Sequence, residues 1–377
     1  MRKFFAALAL LATALPAAAQ DTIKIGVITD RVGVAKPWSE PIMQGTIYAA
    51  RELNSRGGVL GKKVELLIED DQGKPDVSAT VARKLQDAGA VFILSITHTP
   101  AALQVQQVTV ESKTPHLAPS LTVDTLTTQI NNPNFWQTGP LASTQIATLL
   151  SYARRNNFQR VAVIADNSAI SQATANAFKS ELAKNKIQVV SDEVVPAGAT
   201  SAEPQLQKIR AAKPDAIFLG SVLTSENLLI FKAYRQYGMK MPILGNYNLA
   251  VPVYMTVAKG FLDGITFVDA WDPAKPQVKQ FVANYTKEMG QEPYGMHGYG
   301  YDGIMLAVDA IRRAGGTDKE KIRQAMQATR GYKGLLGSAE ASYGFADGRR
   351  TGFDPEGMVV RAYEGDKQGR VLHVGTR

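Results

Sequence analysis

A glycine motif in the last third of the chain offers the first candidate chemistry. Residues 298–303 read Gly-Tyr-Gly-Tyr-Asp-Gly, which matches the G-x-G-x-x-G pattern of dinucleotide-binding enzymes. In those enzymes the pattern follows a strand and opens a helix early in a βαβ unit. Here Pro-Tyr-Gly-Met-His precedes it at 293–297 and helical periodicity follows directly. The context therefore does not fit a nucleotide site.

Other patterns that carry chemistry are missing or incomplete. The sequence has no cysteine, which excludes thiolate nucleophiles, disulfides, cysteine metal sites and a lipid-modified cysteine. It has no G-x-x-x-x-G-K-[ST], H-E-x-x-H or G-x-S-x-G pattern. The run Glu69–Asp71 lacks EF-hand spacing and is interpreted as a solvated turn, while His116 and His373 are interpreted as structural residues. We expect no metal, no cofactor and no catalysis, with an exported hydrolase or other enzyme as the alternative.

The first residues have the organisation of a secretion signal. Met1-Arg2-Lys3 is a charged start, Phe4 to Leu15 is apolar, and Pro-Ala-Ala-Ala follows at 16–19. The apolar run is shorter than the roughly 20 residues that span a bilayer. We predict a signal peptide over 1–19, cleaved near Ala19, and a periplasmic mature chain that is not inserted in a membrane.

Composition and charge limit the partners. The chain has 377 residues, enough for about two domains. Its formal charge is +8, and removal of Arg2 and Lys3 with the signal leaves +6, spread along the sequence. No basic cluster with interleaved aromatics appears, so nucleic acid is not an expected partner. The positive charge is compatible with an anionic ligand.

Short apolar runs alternate with amphipathic stretches, which indicates an α/β fold. Because several strands are fully apolar, we expect parallel sheets covered by helices on both faces. The alternation begins at 23 and restarts at 161, which predicts two similar lobes, and the polar stretch Asn131–Asn134 is the predicted first crossing between them. Predicted strands cover 23–28, 64–68, 91–94, 161–165, 188–190 and 216–219; predicted helices cover 42–54, 76–88 (capped by Asp76), 171–184 and 202–212.

Four segments give the chain a resemblance to a known family. They are Ile23–Ile28, the Leu-Asn-x-x-Gly-Gly-x-x-Gly element at 53–61, the acidic turn at 69–73, and Tyr-Asp-Gly at 301–303. Together they resemble the type I periplasmic binding proteins, specifically the branched-chain amino acid (Leu/Ile/Val) binding family of ABC importers. The resemblance covers essentially the whole mature chain.

The resemblance implies two Rossmann-like lobes joined by a multi-strand hinge, with a ligand cleft between them. The implied segments are 20–138 and 270–338 for lobe 1, and 139–269 and 339–377 for lobe 2. In such folds the ligand meets loops at the carboxyl ends of the strands.

In lobe 1, matching by motif gives three candidate ligand-binding places. Trp38 stands where the family has an aromatic that packs on the ligand. The loop after the 91–94 strand matches one that grips a carboxylate, although His98 replaces the usual serine. The next loop completes the carboxylate site through hydroxyls and backbone amides. The candidates in these two loops are Thr97, His98, Thr99, Ser120, Leu121 and Thr122.

Lobe 2 departs further from the family pattern. Ile170 and Val222 stand where the family has aromatic side chains, and Tyr247 stands where amino-acid binders carry an acidic residue for the ligand ammonium. A buried ammonium without a partner would cost several kcal/mol. The sequence therefore predicts a small carboxylate with an apolar or aromatic body as ligand.

The predicted function is the substrate-binding component of an ABC importer, which closes its cleft on the ligand and meets a membrane permease as a monomer. Binding of a branched-chain amino acid, or ligand sensing on the same fold, remains an alternative.

Overall fold

The computed structural model describes residues 22–352 and 354–376. The predicted signal peptide lies outside the described residues. Among the residues described, no helix combines the length and the apolar character that a bilayer crossing requires.

Lobe 1 is built on a parallel sheet of five strands. Residues such as Ile25, Val27 and Phe92 are fully buried because helices cover both faces of this sheet. The spatial order is β2-β1-β3-β4-β5. The strands are β1 Ile23–Thr29, β2 Val64–Asp70, β3 Phe92–Ile96, β4 His116–Ala118 and β5 Phe135–Gln137.

Lobe 2 is built on a sheet of seven strands. Five strands are parallel, and the last two along the chain extend the sheet in the antiparallel sense. The spatial order is β12-β11-β10-β9-β8-β6-β7. The strands are β6 Arg160–Asp166, β7 Gln188–Val195, β8 Ala216–Leu219, β9 Ile243–Gly245, β10 Thr266–Asp269, β11 Val359–Glu364 and β12 Lys367–Val374. These two sheets confirm the predicted fold class.

Twelve α-helices lie in the described part of the chain. They are α1 Lys36–Ser55, α2 Pro75–Asp87, α3 Thr99–Glu111, α4 Leu126–Gln129, α5 Ala142–Arg155, α6 Ala169–Lys184, α7 Glu203–Ala212, α8 Thr224–Gln236, α9 Tyr254–Val257, α10 Pro276–Met289, α11 Gly295–Ala314 and α12 Lys319–Gln327. Short 3₁₀ turns cover Tyr247–Ala250 and Pro355–Gly357.

Glycines let α1 and α11 cross in close contact, although the helices lie far apart in sequence. A Cβ on Gly45 would stand 1.9 Å from the carbonyl oxygen of His297 in α11. A Cβ on Gly300 would stand 1.9 Å from the carbonyl oxygen of Ile42 in α1. The second glycine of the 298–303 motif is therefore a helix-packing residue, and α11 returns the chain to lobe 1.

Asp302 organises one of the links between the lobes. Its buried carboxylate accepts hydrogen bonds from the backbone N–H groups of Leu335 (2.6 Å) and Leu336 (2.9 Å) and from the Tyr343 hydroxyl (2.9 Å). Burial raises the pKa of Asp302 to about 6, against the lowering effect of those donors. The Tyr-Asp-Gly motif thus holds the segment that leads back to lobe 2.

Three local predictions were wrong. Helix α1 begins at Lys36 rather than Ile42, because Pro37 fits the first turn of a helix and the apolar stripe starts only later. Asp76 lies in the first turn of α2 and Lys74 is the N-cap residue. Strand β5 pairs with β4, so the chain stays in lobe 1 past Asn131–Asn134. The segment boundaries at 138, 269 and 338 stay predictions.

Candidate functional site

The carboxyl-terminal edge of the lobe 1 sheet carries buried hydroxyl groups without hydrogen-bond partners. Thr97 and Ser120 follow the neighbouring strands β3 and β4, which pair in parallel at Leu94 and Leu117. The hydroxyls of Thr97 and Ser120 are both buried and have no partner in the protein. The same is true of Thr29, which ends the adjacent strand β1. Each of these hydroxyls keeps an unused donor.

The amino terminus of α3 lies beside these hydroxyls. Thr99 is the first residue of the helix, and His98 is its N-cap. The His98 Nδ1 accepts a hydrogen bond from the Ala101 N–H (3.3 Å), which leaves the proton on Nε2 for donation to the Gly73 carbonyl (2.7 Å). His98 therefore uses both ring nitrogens within the protein and ties the α3 terminus to the loop after β2. Its capping role positions Thr97 and Thr99.

Trp38 lies in the first turn of α1, half-buried and packed against the main hydrophobic core. The neighbouring Ser39 hydroxyl donates to the carbonyl of Ile96 (2.8 Å), which fixes the start of α1 over the end of β3. This bond brings the indole to the same edge of the sheet as Thr97. Leu121 is buried and Thr122 is half-buried on the loop after β4.

In lobe 2, Asp166 at the end of β6 ties two loops together. Its carboxylate accepts hydrogen bonds from the hydroxyls of Ser171 (2.6 Å) and Ser221 (2.8 Å) and from the backbone of Val222 (2.8 Å). Burial opposes ionisation, but these donors and those of Ser168 outweigh it and lower the pKa of Asp166. Val222 is therefore positioned through its backbone, half-buried.

Ile170 lies at the start of α6 with 41% of its surface exposed. An exposed isoleucine at the edge of a cleft is free to gain apolar contacts when a ligand or the opposite lobe approaches.

Tyr247 follows β9 and is buried where lobe 2 meets α11. Its ring lies edge-on to Tyr299 with centroids 5.3 Å apart, and its hydroxyl donates to the sulfur of Met296 (3.0 Å). Burial raises the pKa of Tyr247 well above its usual value, and the charge of Asp269 adds to this effect. The phenol is therefore neutral, and its place in the fold links the two lobes.

The buried carboxylates of this part of lobe 2 already have partners. Asp269 lies 3.6 Å from the Arg361 guanidinium, with which it forms a buried ion pair, and its Oδ1 accepts from the Ala270 N–H. Glu226 accepts from the Gly198 N–H (2.8 Å) and from Ser225. Asp269 differs from Asp166 and Glu226 in one respect, because its Oδ2 is buried and accepts no hydrogen bond.

A cavity of about 720 Å³ joins two of the candidate residues. Thr122 of lobe 1 and Ile170 of lobe 2 both line it, and the remaining walls come mainly from α5 and α6. The cavity therefore lies between the segment after β4 and the helices α5 and α6. Trp38, Thr97, Ser120 and Tyr247 do not line it.

The acidic turn after β2 is not fully solvated, so its interpretation as a solvated turn was wrong for Asp71. Asp71 is fully buried, and its carboxylate accepts from the Gly73 N–H (2.9 Å) and the Ser78 hydroxyl (2.8 Å). Oxygen atoms of Asp30, Asp70 and Asp71 lie within 4.8 Å of one another. Asp30 accepts from the backbone of Gly33 and Ala35. These carboxylates shape the loops after β1 and β2.

One serine–histidine pair has the spacing of a nucleophile and its base. The Ser95 hydroxyl lies 2.7 Å from His116 Nε2, and Thr109 lies 3.4 Å from Nδ1. Both residues are fully buried inside lobe 1, and burial lowers the pKa of His116 to about 3. The interior position makes this pair part of the packing between β3, β4 and α3, in agreement with the structural interpretation of His116.

Sequence reasoning missed Thr29 and Asp166. Both lie at the ends of strands, in the stretches Val-Ile-Thr-Asp at 27–30 and Val-Ile-Ala-Asp at 163–166. This repeated strand ending was the available signal, because a polar residue that ends an apolar parallel strand points toward the ligand-binding edge of the sheet.

Comparison with known proteins decides the family. A sequence model described as periplasmic binding protein matches residues 22–351. The chain belongs to the periplasmic binding protein family. The predicted relationship is confirmed, and the relatives of this binding protein include the Leu/Ile/Val-binding protein homolog 3 of Brucella melitensis biotype 1. That relative is 27% identical over 304 residues, covering 80% of this chain and 82% of its own length.

Solved structures show the same fold. The branched-chain amino acid transporter substrate-binding protein of Streptococcus pneumoniae, in complex with isoleucine, superimposes on this binding protein with a TM-score of 0.82 at 21% identity, covering 94% of this chain and all of its own. A solute-binding protein of an ABC transporter from R. palustris, in complex with benzoate, gives a TM-score of 0.76 at 19% identity and covers 94% and 96% of the two chains. Structures of this fold thus hold both amino acids and aromatic acids.

Proposed function

We propose that this protein is the periplasmic substrate-binding component of an ABC importer and captures a small, non-amino carboxylate with an apolar or aromatic body. The proposed lobes, 20–138 with 270–338 and 139–269 with 339–377, close on the ligand, and the closed form is presented to a membrane permease. Export through a signal peptide cleaved near Ala19 belongs to the same proposal.

The carboxylate end is supported by lobe 1. The hydroxyls of Thr97 and Ser120 have no partner, and Thr97 lies two residues before the amino terminus of α3, whose dipole favours an anion. In that first turn Pro100 has no N–H and the Ala101 N–H is donated to His98, so the hydroxyls are the main donors offered to a carboxylate. A buried hydroxyl without a partner is costly, so a ligand carboxylate that accepts from it gains affinity. This row of hydroxyls is the observation that carries the proposal.

The non-amino body is supported by lobe 2. An α-amino acid needs a carboxylate for its ammonium, and the buried carboxylates of Asp166 and Glu226 already accept hydrogen bonds from hydroxyls or backbone N–H groups. The Asp269 carboxylate is paired with Arg361, although its Oδ2 accepts no hydrogen bond. Tyr247, whose phenol is bonded to Met296, replaces the acidic residue of amino-acid binders. The Trp38 indole offers an apolar and aromatic surface.

Matched pairs of acids test this proposal. Phenylpyruvate has the carbon skeleton of phenylalanine, with a keto group in place of the amino group. The acid 4-methyl-2-oxopentanoate is related to leucine in the same way. Calorimetry on protein refolded without ligand should show saturable binding of benzoate and of the keto acids. It should show no binding of the two amino acids. At about 100 times Kd the bound acid should add ~2.7 kcal/mol to the free energy of unfolding. Tighter binding of leucine than of its keto acid would overturn the proposed ligand class.

The same samples distinguish binding from catalysis. A receptor returns its ligand unchanged, so mass spectrometry after prolonged incubation should recover the acid that was added. Conversion of the acid in amounts exceeding the protein would instead favour the enzyme alternative.

A further inference from the structure

We propose that the ligand carries an extended apolar tail, which lies in a groove between α5 and α6. The α5–α6 groove is the part of the 720 Å³ cavity lined by Ile146, Ala147, Leu150, Ile170, Ala173 and Ala177. This inference rests on the proposed function and adds the size and shape of the ligand to it.

The groove exists because small residues face each other across two packed helices. On α5, Ala147 lies between the buried Ile146 and Leu150. On α6, Ala173 and Ala177 are one turn apart and exposed, so no long side chain fills the space above the α5 contact. The result is a channel with an apolar floor, open along one side.

One end of the groove lies close along the chain to the proposed carboxylate site. Thr122 lines the cavity two residues after Ser120, and its carbonyl accepts a hydrogen bond from the N–H of Ala142, the first residue of α5 (2.8 Å). Asp124 accepts from the backbone and hydroxyl of Ser143, which fixes the same junction. The lobe 1 end of the groove is thus two residues from Ser120 along the chain, and the tail would enter the groove past Thr122, because Ser120 itself does not line it.

The α5–α6 groove is longer than a ligand with a single aromatic ring requires. Ile170 and Glu181 both line the cavity, and eleven residues of helix separate them, which corresponds to roughly 16 Å along the α6 axis. Cavities of this volume accommodate drug-sized ligands. A carboxylate head near Ser120 and an aryl or alkyl tail along α6 would use this length, and the apolar floor excludes a charged tail.

A homologous series of acids provides the test. Calorimetry with benzoate, 4-phenylbutanoate and 8-phenyloctanoate should give affinity that rises along the series, by up to roughly four-fold for each methylene that becomes buried. Equal or falling affinity along the series would overturn the tail proposal.

Filling the groove provides the second half of the test. Ala173→Phe and Ala177→Phe place a ring in the groove at exposed positions, so the fold should persist. Each should weaken 8-phenyloctanoate binding roughly ten-fold or more and leave benzoate binding unchanged. Ala183→Phe is the matched control, because Ala183 is exposed on the same helix and does not line the cavity.

The outcomes separate the two proposals. Benzoate binding without any effect of chain length or of groove filling would overturn only the tail. Failure of every acid in the series to bind would overturn the proposed function together with the tail. A loss of benzoate binding in Ala173→Phe that Ala183→Phe does not share would place the whole ligand in the groove and overturn the division into head and tail.

Discussion

Ser120 and Thr97 carry hydroxyls that are buried and have no hydrogen-bond partner in the protein. Such groups cost stability in the free protein and contribute affinity when a ligand satisfies them. Ser120→Ala and Thr97→Val should therefore raise the Kd of the acid ligand. Each substitution should weaken the binding free energy by ~1–3 kcal/mol. The free energy of unfolding without ligand should stay equal or increase. Calorimetry and urea denaturation measure the two effects.

Thr109→Val is the matched control at the residue scale. Thr109 is buried in the same lobe, but its hydroxyl accepts a hydrogen bond from Asn132 (3.0 Å) and lies close to His116. Its removal should lower the free energy of unfolding and leave the Kd unchanged. If Ser120→Ala behaves like Thr109→Val, the Ser120 hydroxyl is structural.

The sequence pointed to some site residues more clearly than to others. Thr97, Ser120 and Thr122 could be found because they follow apolar strands in loops that match a family pattern. The contact of His98 with the loop after β2 could not, since it depends on the carbonyl of Gly73, which only the folded chain brings within 2.7 Å. Asp166 was missed for the same reason, because its hydrogen-bond donors come from two separate loops.

At the scale of elements, the α1–α11 crossing depends on two glycines. Each approaches the backbone of the other helix so closely that an added methyl group must displace it. Gly300→Ala should therefore lower the free energy of unfolding by ~1–3 kcal/mol, measured by urea denaturation. Gly316→Ala, where a Cβ would meet nothing within 4 Å, is the control. Equal stability of the two variants would show that the helices separate without cost.

Element types were predictable where the apolar pattern was strong. The buried positions of the strand at 216–219 are all apolar, as are those of the strand at 23–29 before its last residue, and the pattern locates both strands within a residue. The start of α1 was not predictable from periodicity, because its first turn carries Pro37 and a half-buried Trp38, and Pro41 follows in the second turn before the apolar stripe begins. Strand β5 has only three residues, too few for a pattern.

At the scale of the whole molecule, Asp302 couples the link between the lobes to pH. Its pKa in the folded protein is about 6, above the ordinary value of 3.8. Between these values the folded chain binds more protons than the unfolded chain, so this group's contribution to stability falls as pH rises through that window. We therefore compare the free energies of unfolding of the natural protein and of Asp302→Asn. The value for the natural protein minus that for the variant should decrease by ~1–3 kcal/mol from pH 4 to pH 7.

Parallel urea denaturation series of both proteins at several pH values measure this difference. If the natural protein instead became more stable relative to Asp302→Asn as pH rises, the Asp302 carboxylate would be held ionised by its donors Leu335, Leu336 and Tyr343.

The crossing of α1 with α11 also has a consequence for the order in which the chain can be assembled. Helix α1 emerges from the ribosome early, whereas the helix that completes its packing begins only at Gly295. Until then the α1 face around Gly45 and Ile42 has no native partner, while lobe 2 has already received its first five strands. During synthesis, therefore, the lobe that begins first is finished late, and its uncovered apolar stripe is the surface that a chaperone would have to shield.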